Sequence, residues 1–218
     1  VMYKGKALSY DTKYFWTVKV WTNKSKRSTQ SKIMNWKTGL MNADNWKSNW
    51  ISVIDRDRDL SQAPYFINDF RLNKKIISAT LYITSRGVYE AHINGERVGN
   101  SFLTPGWTSY SNRIQYQAYD VKEMLNEGEN RIGVVLADGW FKNFKPNQGN
   151  RITDYGKSTS FISEMIITYQ DGFKESIIDD QNWNYHFGAI RSSSIYNGET
   201  IDLNLYDHKW AHPSVQNL

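Results

Sequence analysis

Between Pro64 and Leu205 the sequence breaks into short runs that alternate apolar and polar residues, punctuated at near-regular intervals by Gly, Asn and Asp. Period-two runs with turn signals between them leave room for little but an antiparallel β-protein. Pro64–Leu72, residues 76–85 and Val88–Ile93 are the first candidate strands, and Asn94-Gly95 closes the third with the two positive-φ positions of a type I′ hairpin turn. A short return strand at Arg97-Val98, an exposed loop at 102–112 and a strand at 114–119 follow. Asp120, with Glu123 three residues on, predicts the capped start of one short helix that runs through Leu125 and ends at Gly128. The apolar run 131–137 predicts a central strand, and the Gly/Asn/Lys/Pro-rich stretch 138–156 a long loop. Runs 161–169 and 173–178 form a second hairpin around Asp171-Gly172, with short strands near Ala189 and over 201–205. Many strands and one helix make an all-β antiparallel sandwich of jelly-roll, galactose-binding-domain-like type.

The first forty residues read as a separate piece. Tyr14, Trp16, Val18 and Val20 alternate with Phe15, Thr17, Lys19 and Trp21, which predicts one strand with one buried face. Residues 22–30 read as a polar turn and 32–37 as a second strand. Two strands do not stand alone in water, so this segment is expected to be the end of a larger module, and the amino terminus looks like a cut inside a longer protein. The expected division is therefore a partial sandwich piece over 1–41, a linker over 42–63 and a jelly roll over 64–218.

Composition narrows the function classes. No cysteine among 218 residues excludes a disulfide scaffold and any thiolate metal site, and four scattered histidines leave only oxygen-rich metal sites. No run approaches the roughly 20 apolar residues of a membrane helix. A net charge of +5 raises the question of a polyanion, but bases alternate with acids, as in Asp55-Arg56-Asp57-Arg58-Asp59, so no nucleic-acid footprint is expected. Aromatics make up 15% of the chain, an excess that suits strands and, where exposed, carbohydrate surfaces. Nothing in the chain selects a catalytic pair: Asp179-Asp180 reads as a turn, His92 as a packed or solvated strand residue, and Ser192 to Ser194 lacks a nucleophile elbow.

Ordered motifs carry a resemblance. The run Gly87-Val88-Tyr89-Glu90-Ala91-His92-Ile93-Asn94-Gly95-Glu96-Arg97-Val98-Gly99 is followed by Leu103-Thr104-Pro105-Gly106-Trp107-Thr108-Ser109-Tyr110 and Gln115-Tyr116-Gln117-Ala118-Tyr119-Asp120-Val121. Gly128-Glu129-Asn130, Asp138-Gly139-Trp140-Phe141 and Ser194-Ile195-Tyr196-Asn197-Gly198-Glu199 with Asp202 continue the series. Together they resemble the amino-terminal β-sandwich domain of bacterial α-L-rhamnosidases. The piece before it, with Trp16 to Trp21 and Thr38-Gly39-Leu40, is similar to the end of the fibronectin-type-III-like module that precedes that domain.

The resemblance implies that L-rhamnoside hydrolysis, an inverting reaction of two carboxylic acids, belongs to an (α/α)6 barrel downstream in the same chain. No long helical pattern occurs in these residues. The implied role is accessory: holding or guiding a rhamnose-containing glycan, or, as the alternative, spacing the barrel without binding anything. Sugar sites pair an aromatic face with planar polar groups, which singles out Trp107 and Tyr110 in one loop, Asp138, Trp140 and Asn143 in another, and Glu199 and Asp202 near the end. No cofactor is required on this reading. Related modules bind L-rhamnose through calcium, so the resemblance also raises Ca²⁺, with Asp138, Asn143 and Glu199 as oxygen ligands. Asn143 replaces a common glycine, and Ile201-Asp202-Leu203-Asn204 replaces a common Tyr-Asp-Ala-Arg run, which removes an arginine.

Overall fold

The computed structural model describes residues 4–23, 25–53, 62–142, 155–156, 158–179 and 182–214. The chain divides into two compact units, Val1–Lys47 and Ser48–Leu218. Among the described residues no helix is long and apolar enough to cross a membrane.

The first unit consists of two antiparallel ribbons. Strand β1 (Lys13–Trp16) pairs with β4 (Met34–Lys37), and β2 (Lys19–Thr22) pairs with β3 (Ser25–Gln30). Sequence alternation predicts one strand over 14–21, and the structure corrects this. At Thr17-Val18 the chain changes partners, because Val18 donates its N–H to Ser31 Oγ and accepts the Ser31 N–H, at 2.9 and 2.8 Å. The expected polar turn at 22–30 is strand β3 for most of its length. Nor does a face of this segment lie buried: Phe15 and Trp21 are 65% and 63% exposed. Polar groups hold the base of the unit, where Asp11 pairs with Lys37 and Thr38 Oγ1 accepts from Thr12 N–H and donates to the Ser9 carbonyl.

The second unit is a sandwich of two antiparallel sheets, as the strand rhythm predicts. Its strands are β5 (Pro64–Leu72), β6 (Ile76–Arg86), β7 (Val88–Ile93), β8 (Glu96–Arg97), β9 (Gln117–Asp120), β10 (Gly128–Ala137), β11 (Ser160–Tyr169), β12 (Lys174–Ile178) and β13 (Asn184–Phe187). One sheet has the order β13-β5-β10-β7-β8 and the other β12-β11-β6-β9. Alternate residues face inward: Phe66 and Leu72 of β5, Ile132, Val134 and Leu136 of β10, Leu81 and Ile83 of β6, and Phe161, Met165 and Ile167 of β11 fill the space between the sheets. β10 is central, as its apolar run predicts. A small hairpin, β14 (Ile190–Ser194) with β15 (Gly198–Ile201), lies beyond β13 in the chain.

Three local expectations are corrected. The helix after Asp120 is a single 3₁₀ turn, Lys122–Met124, with Val121 at its start and no side-chain cap. Asp120 accepts the Lys122 N–H at 3.2 Å, while Val121 is fully buried and bonds back to the Ala79 carbonyl, so the chain is tied to β6 before helix can propagate. The strand expected over 201–205 stops at Ile201; Asp202 then caps a 3₁₀ turn, Leu203–Leu205, by accepting the Asn204 N–H. Residues 48–53, inside the expected linker, instead run along the edge of β11 beyond the end of β12, where Ile51 and Phe161 exchange backbone hydrogen bonds of 2.8 and 3.0 Å. The polar loop expected at 55–63 lies largely outside the described residues.

Candidate functional site: two anchored loops

Two loops of the sandwich carry four of the seven residues singled out in the sequence, Trp107, Tyr110, Asp138 and Trp140. The first follows β8. Thr104 fixes it to β7, because its carbonyl accepts the Tyr89 N–H at 2.9 Å and its hydroxyl donates to the Tyr89 carbonyl at 3.0 Å. Tyr110 fixes it again: its ring packs edge-on against Phe141 and Tyr155, with centroids 5.3 and 4.9 Å away, and its hydroxyl donates to the Gly106 carbonyl. Burial pushes the Tyr110 phenol above its ordinary range. Tyr110 is 8% exposed, so it is a packing residue rather than a contact surface.

The second loop follows β10. The Asp138 N–H donates to Ser193 Oγ at 3.3 Å, the Lys142 N–H donates to the Asp138 carbonyl, and Lys142 Nζ lies 2.8 Å from Asp138 Oδ1. Gly139 turns the chain at φ +54°, where a Cβ would meet Val88 Cγ1 at 2.8 Å. This turn presents Trp140, half-buried, to the indole of Trp107. The two rings lie nearly parallel, 8° apart with centroids 6.4 Å apart, within the range of offset aromatic pairs. Trp107 is 62% exposed.

The remaining expected residues are placed as follows. Asn143 lies outside the described residues. Asp202 turns its carboxylate onto its own chain, accepting from both Asn204 N and Asn204 Nδ2 at 3.0 Å. Glu199 sits exposed on β15, opposite Ser193 in register, and lines a cleft distinct from the tryptophan pair. Of the oxygen set raised for Ca²⁺, Asp138 is engaged by Lys142 and Glu199 stands on β15; among the described residues no group of three or more His, Cys, Asp or Glu is placed to hold a metal ion. Asp179, half of the expected turn, is buried and accepts from both the N–H and the hydroxyl of Ser163, which is a structural role.

Sequence reasoning missed the cleft itself. It is lined by Tyr65, Glu90, His92, His186, Glu199 and Trp210 among others, residues drawn from five segments across 145 positions of sequence. No spacing signal links them, and His92 was expected to be an isolated packed or solvated residue.

The family "Alpha-L-rhamnosidase N-terminal domain" matches residues 74–218, and a "Rha78A-like, N-terminal immunoglobulin domain" matches residues 1–42. The latter is the related sandwich type to the fibronectin-like module that the sequence resembles. An alpha-L-rhamnosidase of Formosa agariphila is 35% identical over 96% of this chain, which spans 24% of that relative. The crystal structure of an α-L-rhamnosidase from Aspergillus terreus superposes with a TM-score of 0.88 at 31% identity, covering 97% of this chain and 25% of that one. That of the Streptomyces avermitilis enzyme complexed with L-rhamnose gives 0.68 at 36% identity, covering 72% and 15%. The chain thus spans about a quarter or less of the α-L-rhamnosidases it matches. With the sandwich, its loops and these matches in agreement, the chain belongs to the family of α-L-rhamnosidase N-terminal domains.

Proposed function

We propose that this chain is the accessory, carbohydrate-binding and substrate-guiding region of an α-L-rhamnosidase. Its ligand is a rhamnose-containing glycan, and bond cleavage belongs to a catalytic barrel in another part of the same polypeptide. The observation that carries this reading is the exposed Trp107 held parallel to Trp140 by two independently anchored loops. An indole face covers the C–H side of a pyranose, and a pre-formed pair costs little ordering entropy on binding. Loops carried on a rigid sandwich are the usual place for such groups. No step in this reading runs through calcium.

Tryptophan fluorescence of the 218-residue chain, titrated with methyl α-L-rhamnoside with and without added Ca²⁺, tests it. A saturable shift that Trp107→Ala abolishes is expected. A flat response in both arms contradicts binding and leaves the spacer role as the account of the chain.

A further inference from the structure

The outer face of the five-stranded sheet is not bare. Trp210 and Ala211, from the segment after β15, lie across it beside Ile67 and Tyr65. Gly133 of β10 makes the seat: a Cβ there would come within 2.5–2.6 Å of the Trp210 ring. Arg131 secures the same segment. It forks onto Asp69 at 2.6 and 2.8 Å and also donates to the His212 carbonyl at 3.2 Å. Between this strap and the β14–β15 hairpin a cleft of about 380 Å³ remains open, within the size range of small-molecule sites.

Its lining has a definite chemistry. Tyr65 and Trp210 meet edge to face, centroids 5.0 Å apart, and the His92 ring meets Trp210 edge-on at 5.2 Å. Glu90 accepts from Arg97 Nε and pairs with His92 Nε2, each at 2.8 Å, and is thereby already neutralised and held as a fixed fork. The side chains of His186, Glu199 and His208 make no hydrogen bond among the described residues, and Gly188 lets Tyr65 lie against the β13 end, where a Cβ would meet its ring at 2.9 Å. The free groups are thus one carboxylate acceptor and two imidazoles, each able to donate and accept, beside aromatic walls. The described lining of the cleft holds no Lys or Arg, so an inorganic anion would meet Glu199 and Asp207 uncompensated, and an apolar ligand would leave the half-buried His186 unpaired. A neutral ligand with adjacent hydroxyls matches every one of these groups.

We propose that this cleft is a second saccharide site, taking one pyranose residue against the outer face of the five-stranded sheet, with neither Trp107 nor Trp140 in its lining. The inference rests on the glycan-binding reading above and adds a site to it.

The test is an NMR titration of the isotopically labelled 218-residue chain, following the Trp indole and His imidazole signals. L-Rhamnose and methyl α-L-rhamnoside are the probes, with tetramethylammonium added separately as a cation of similar size. Saturable shifts of the Trp210 and His186 signals by the sugars are expected. Glu199→Ala, an exposed position on a hairpin, weakens them at least tenfold, whereas Trp107→Ala changes them less than twofold. Sugar-induced shifts confined to Trp107 and Trp140 overturn the second site and leave the loop site standing. Cleft signals that respond to tetramethylammonium and not to sugar overturn it as well. No shift anywhere overturns both readings.

Discussion

Gly133 shows how a single missing atom shapes this molecule: it stands on the central strand, where any Cβ would strike Trp210 at 2.5 Å and Ala211 at 2.9 Å. Gly133→Ala forces the strap off the sheet. Overpacking of this kind costs about 1–3 kcal/mol, so the urea midpoint drops and Trp210 emission shifts red; an unchanged midpoint means the strap is not seated as described. A second residue-scale consequence concerns pH. Burial, aided by Arg131 and opposed by Asp207, holds the His186 imidazole below its ordinary 6.5. The unfolded chain then takes up a proton near that pH while the folded chain stays neutral, so stability falls as pH drops below 6.5. Glu90 acts lower on the scale. The hydrogen bond from His92, with Arg97, holds its carboxyl below the ordinary 4.5 against the opposing effect of burial. Its contribution is complete above 4.5 and is lost as pH falls through the folded value. His186→Gln therefore flattens the decline in urea midpoint between pH 7.5 and 5.5, while leaving the decline below pH 4.5 in place; an undiminished upper decline contradicts the assignment.

Among the elements, one buried side chain organises the turns at the strand ends beside β10 and β7 of the five-stranded sheet. Asn130 accepts the Asn126 N–H and donates to the carbonyls of Asn126 and Gly128, at 2.8–3.0 Å, and it also accepts from Asn94. Asn94, at φ 52° in the hairpin turn, in turn accepts the Arg131 N–H. Asn130→Ala leaves these groups buried without partners. The loss is about 1–3 kcal/mol in chemical denaturation, against almost none for Asn112→Ala on the exposed loop. The hairpin turn was legible in the sequence because Asn-Gly has its own conformational signature. The Asn130 network was not, because nothing local in Gly128-Glu129-Asn130 indicates that its amide faces a turn formed by residues upstream. The same division runs through the secondary structure. Strands with alternating burial, such as Val88–Ile93, stand where period two places them. The failures fall where tertiary hydrogen bonds overrule local pattern, at the partner change around Val18 and at the 3₁₀ turn after Val121. Of the candidate site, the Trp107–Trp140 pair was visible as two aromatics in loops; Tyr110 was not visible as packing, because its partners Phe141 and Tyr155 come from a distant loop.

For the whole molecule, the two compact units separate the sandwich, which carries both proposed binding surfaces, from the small ribbon unit. A chain cut to residues 48–218 is expected to keep its affinity for methyl α-L-rhamnoside within about twofold, since every residue assigned to a glycan lies in that unit; a large loss in isothermal titration would show that the first unit takes part. On the function proposed above, this chain holds a rhamnosyl glycan without cleaving it. Saturation-transfer NMR on a rhamnosyl disaccharide mixed with the chain reads binding and cleavage in one sample. Transfer to the rhamnosyl ring protons, with the disaccharide still intact after prolonged incubation, is the predicted result; absence of transfer, or the appearance of free L-rhamnose, contradicts it.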